Sequence, residues 1–75
     1  MAMSEIVLRV RLVSGEHLDV TYSQDGVSPD ELVERAAVIL AEDAGVLRCQ
    51  HGDRLIVLYG RGVASFEVAP RGAIL

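Results

Sequence analysis

A chain of 75 residues with one cysteine has room for a single domain and none for an internal disulfide. Its formal charge of −4 supplies no basic face for nucleic acid and no attraction to an anionic membrane. All seven cationic residues are arginines, which excludes lysine Schiff-base chemistry; the lysine-free, Arg/Ala/Val/Gly-rich usage is compatible with a high-GC bacterial genome.

So short a chain buries only about 60% of the surface that its unfolded form exposes, and small domains compensate with disulfides, a metal or oligomerisation. Hydrophobic residues make up 51% of the sequence before its seven glycines are added, which lies above the ~45–50% usual for the combined set. Association with a second copy or another protein is therefore expected. Met1-Ala2-Met3-Ser4-Glu5 shows no basic-then-apolar leader, and the longest apolar run, residues 36–41, falls far short of the ~20 that cross a bilayer. A cytoplasmic location is expected, with residues 1–75 as one domain: an ordered core over 5–69 and a tail over 70–75.

Residues 5–13 alternate as a strand, with Ile6, Leu8, Val10 and Leu12 on one side and Val7, Arg9, Arg11 and Val13 on the other. After Ser14-Gly15-Glu16, residues 17–22 alternate again. Keeping both apolar sets on one face places Leu12 opposite Leu18, with a three-residue loop and Arg11 opposite Asp19. Ser28-Pro29-Asp30-Glu31 is a helix start: a serine cap, a proline where no donor is needed, and a glutamate able to complete a capping box. The helix is predicted over 29–44, with Gly45 as a left-handed terminator. Leu32, Val33, Ala36, Ala37, Ile39, Leu40 and Ala44 form its apolar arc, and Val38 is expected to stand exposed.

Residues 46–50 read as a short strand. Arg54-Leu55-Ile56-Val57-Leu58-Tyr59 barely alternates and reads as a strand buried on both faces. Gly60-Arg61-Gly62 reads as a hairpin turn, since it lacks the spacing and following helix of a phosphate loop. Residues 63–69 read as a last strand with Ala64, Phe66 and Val68 on one face.

The expected fold class is α+β: a single helix packed on one face of a mainly antiparallel sheet, in the order β-β-α-β-β-β, a two-layer sandwich. That order resembles the β-grasp arrangement of ubiquitin-like proteins. The Gly-Gly carboxyl terminus activated in sulfur-carrier and modifier members is replaced here by Arg71-Gly72-Ala73-Ile74-Leu75, so their chemistry does not carry over.

One helix covers one face, which leaves Val7, Val13 and Val63 uncovered together with either Ile56 and Leu58 or Leu55, Val57 and Tyr59. These eight residues are the candidate interface. No catalytic, cofactor-binding or metal-binding residue is expected. Cys49-x-His51 is the one pairing with ligand or nucleophile character, and two copies would be needed to complete a Cys2His2 zinc site; a buried small thiol and a turn histidine explain it more simply. Asp30/Glu31 and Glu42/Asp43 are explained by capping and solvation. The functional expectation is a non-enzymatic interaction module, a homodimer or accessory subunit working through a sheet face or edge. The alternative is a small-molecule binder with a pocket between helix and sheet or at a subunit junction.

Overall fold

The computed structural model describes residues 3–69; the expected tail over 70–75 lies outside them. Five strands and one helix follow in the order expected: β1 (Met3–Leu12), β2 (His17–Asp25), α1 (Pro29–Ala41), β3 (Val46–His51), β4 (Arg54–Tyr59) and β5 (Val63–Val68). The sheet is antiparallel throughout, in the spatial order β4-β3-β2-β1-β5, and α1 packs against β1, β2 and β3. The α+β class holds, with one helix on one face of an antiparallel sheet. The β-grasp resemblance is one of element order alone, and β5 stands at an edge of the sheet, beside β1.

Four residues, 13–16, join β1 to β2 in place of the expected three, and the register differs by two from expectation: Val10 faces Leu18, and Arg9 rather than Arg11 faces Asp19. A slip of two residues keeps every side chain on its face, so the apolar pattern does not separate the two pairings. The turn separates them. The Leu12 amide donates to the Glu16 carbonyl at 2.8 Å, and Gly15 adopts φ +96°, a left-handed conformation suited to glycine.

The Ser28 Oγ accepts from the Glu31 amide at 3.2 Å, and Pro29 opens α1. Leu32, Ala36 and Leu40 are buried against Ile6, Leu8, Val10, Val20, Tyr22, Leu47, Cys49 and Leu58, while Val38 stands exposed. The helix ends at Ala41, before the expected Ala44, because Glu42 turns to an extended conformation with φ −95° and ψ 134°. Gly45 is not left-handed. It serves close approach instead: a Cβ there would stand 1.8 Å from the Ile39 carbonyl oxygen.

Gly60–Gly62 is a single 3₁₀ turn, not a hairpin turn, because β4 and β5 lie at opposite edges of the sheet. Four residue steps from Tyr59 to Val63 reach about 14 Å at most, whereas the edges of a flat five-stranded sheet stand about 19 Å apart. The sheet therefore coils around α1 and brings its edges toward each other. An irregularity between Arg11 and Leu12, where Ala64 is the extra residue on β5, supplies local bend and twist. It also turns Val63 inward to pack against the core, correcting its assignment to the uncovered face.

Candidate interaction surface

The two-residue turn Gly52-Asp53 joins β3 and β4, with His51 opposite Arg54. In such a hairpin the flanking pair is hydrogen-bonded, and bonded and non-bonded pairs then alternate. The Gly60 amide donates to the Gly45 carbonyl at 2.9 Å, which extends the same alternation beyond the far end of the strands. Arg54, Ile56 and Leu58 consequently turn their backbone groups toward β3. Leu55, Val57 and Tyr59 turn theirs outward.

β4 has β3 as its one neighbour, and among the described residues no backbone bond from another segment reaches those three outward positions. Their side chains are also exposed, at 64% for Leu55, 39% for Val57 and 49% for Tyr59. The expectation that β4 is buried on both faces is thus corrected: its inner face carries Leu58, buried, and Ile56, half-buried. A run of Leu-Ile-Val-Leu-Tyr mimics a central strand, but position in the sheet decides burial.

Of the eight candidate interface residues, the structure gathers Leu55, Val57 and Tyr59 along one edge. Val7 sits half-buried on the outer face near the middle of β1, and Val13 is exposed in the β1–β2 loop. Ile56, Leu58 and Val63 belong to the inner side. Between Val7 and the β4 strip the outer face is polar apart from Val46, which is exposed opposite Tyr59. Arg48 and Gln50 are exposed, the Thr21 hydroxyl donates to the Gln50 carbonyl at 3.3 Å, and Arg9 pairs with Asp19 at 3.2 Å with both side chains well solvated. The apolar surface is an edge strip, with the Arg61 guanidinium 5.4 Å from the centre of the Tyr59 ring.

Where the coiled sheet nearly closes on itself lies a groove of about 300 Å³, lined by Leu12, Val13, Ser14, Val57, Leu58, Tyr59, Gly62 and Val63. Sequence reasoning missed Leu12, Ser14 and Gly62 as lining residues. The available signal was the shortness of Gly60-Arg61-Gly62: three residues between strands that do not pair force the sheet to wrap.

The Cys49–His51 pairing is not assembled. Cys49 is buried, and its thiol donates to the Ile56 carbonyl at 3.5 Å. His51 is exposed, and its Nδ1–H donates to the Asp19 carbonyl at 2.7 Å on β2. Among the described residues no three His, Cys, Asp or Glu side chains converge on a common point. Burial pushes the thiol from 9.0 up to about 11, so Cys49 stays protonated at neutral pH and is a poor nucleophile. Ellman's reagent at pH 8 is expected to leave native protein unmodified and to titrate one thiol after addition of guanidinium. Because the folded state holds the proton more tightly than the unfolded chain, this group's stabilisation is complete below pH 9 and is lost as pH rises toward 11. Urea midpoints measured across that window, with Cys49→Ala as reference, check the sign.

No helix among the described residues is long and apolar enough to cross a membrane. No protein-family model, curated protein or solved structure matches this chain.

Proposed function

We propose that this domain is a non-enzymatic interaction module that self-associates, or joins a larger assembly as an accessory subunit, by accepting an extended strand at the β4 edge. One observation carries the reading: Leu55, Val57 and Tyr59 combine outward-facing backbone donors and acceptors with exposed apolar side chains. Strand addition uses that combination, the main chain supplying hydrogen bonds and alternate side chains supplying specificity. The usual protections of an edge, lysine and proline, do not occur within β4. A partner is a second copy or another protein; the net charge of −4 argues against nucleic acid and anionic membrane.

Val57→Pro tests this. The Val57 amide faces away from β3, so proline removes no bond of the ladder and is tolerated as it is on natural edge strands. Analytical ultracentrifugation at micromolar concentrations should show association weakened at least about tenfold, with the far-UV circular dichroism unchanged. Association that persists undiminished in this variant would remove β4 as the docking element.

The groove favours a second reading, a small apolar ligand held where the sheet nearly closes. Its volume of about 300 Å³ stands at the lower end of the ligand-pocket range, and the helix–sheet junction is filled by Leu32, Ala36 and Leu40. Native mass spectrometry of protein taken from its own host separates the readings, since a retained mass supports the ligand.

A further inference from the structure

We infer that the chain beyond Ala69 runs on beside the free half of β1, residues 70–73 pairing antiparallel with residues 3–6 and closing that length of sheet edge within the same molecule. The inference stands independently of the β4 reading. β1 has ten residues and β5 has six, and their ladder ends at Leu8 opposite Val68. On its other side β1 stays paired with β2 as far as Met3, opposite Asp25. The Leu12 amide bonds toward β2 and the Val7 carbonyl bonds toward β5. Even-numbered residues of β1 therefore turn their backbone groups toward β2, and odd-numbered ones turn theirs toward β5. Glu5 presents a donor and an acceptor on a side where, among the described residues, no strand stands.

One bond fixes the register. The Ala69 amide donates to the Val7 carbonyl at 2.9 Å, one step past the end of β5, so the residues that follow have their places set. Pro70 falls opposite Ile6, at a position whose partners exchange no backbone bonds, and its missing amide costs nothing there. Arg71 falls opposite Glu5, at a bonded position on the outer face, where Glu5 is exposed. That pair repeats, with the signs exchanged, Arg9 opposite Glu67, and opposite charges facing across antiparallel strands favour the pairing. Gly72 falls opposite Ser4, whose hydroxyl donates to the Val27 carbonyl and holds the loop before α1 against this end of the sheet. A residue without a side chain passes most easily there. A slide of one residue would break the Ala69 bond, set Pro70 where a donor is needed and turn Arg71 to the inner face.

Hydrogen exchange followed by NMR on the full chain reads the Glu5 amide directly. The Ile6 amide, directed at β2 opposite Tyr22, is the internal control. Ending the chain at Ala69 should lower protection at Glu5 at least about tenfold and leave Ile6 unchanged. Arg71→Glu sets two carboxylates opposite each other and should lower protection at Glu5 about threefold, and adding Glu5→Arg to the same chain should restore it at that position. Equal protection of Glu5 in the full and shortened chains overturns the inference. Protection that grows with protein concentration gives this edge to a second copy and overturns pairing within one molecule. Protection lost on shortening but indifferent to both charge changes overturns the placement of Arg71 opposite Glu5, and with it the register.

Discussion

Gly60→Ala is expected to destabilise the domain by more than about 3 kcal/mol. The cause is a collision between backbones. A Cβ on Gly60 would stand 1.9 Å from the Glu42 carbonyl oxygen, 2.9 Å from the Glu42 carbonyl carbon and 2.9 Å from the Leu40 carbonyl oxygen. No side chain can rotate to relieve it. The 3₁₀ turn and the end of α1 would have to separate, taking with them the bonds from Gly60 N–H to Gly45 O at 2.9 Å and from Arg61 N–H to Asp43 O at 3.3 Å. The same segment routes the chain from one edge of the sheet to the other, so moving it strains the wrap of the sheet around the helix. A chain of this length has a total stability of about 4–11 kcal/mol, and the loss is a large share of it. Gly62→Ala is the control: a Cβ there meets nothing within 4 Å, and the urea midpoint should barely move. Equal stability of the two variants would show that Gly60 does not mark a close approach.

Sequence patterning exposed some features of this fold and concealed others. The start of α1 was legible because Ser28, Pro29 and Glu31 act within one turn, and local chemistry of that kind needs no tertiary partner. The inner faces of β1 and β2 were legible because the period-two alternation of Ile6, Leu8 and Val10 with Leu18, Val20 and Tyr22 survives a register shift of two. That same tolerance hid the pairing itself, which the positive φ of Gly15 decides. The location of β4 at an edge was not legible. Leu55–Tyr59 carries apolar residues on both faces, which reads as burial, yet strand order depends on how the Gly60–Gly62 connection travels, a non-local property. Val63 was misplaced for a related reason, since the irregularity at Ala64 inverts the alternation of β5. The candidate surface was therefore half visible: its residues lay within the predicted set, but their arrangement as an edge, with backbone and side chains exposed together, emerged only from the topology.

Leu32→Ala is expected to cost about 2–5 kcal/mol, and the reasoning returns to how small this core is. Leu32 is fully buried on the first half of α1, among side chains contributed by the coiled sheet. Alanine is the better helix former by a few tenths of a kcal/mol, so helix propensity works slightly against the loss and cannot account for it. What remains is the transfer energy of the deleted carbons plus the cavity that they leave, and a sheet held in a coil by its short connection has little freedom to close that cavity. Val38→Ala is the matched control on the same helix. With 66% of Val38 exposed, its truncation should change stability by less than about 0.5 kcal/mol. Urea denaturation of both variants should show a large fall in midpoint for the first at constant m-value and almost none for the second. If the two midpoints fell together, the apolar arc of α1 would not be what holds the helix in the concavity of the sheet.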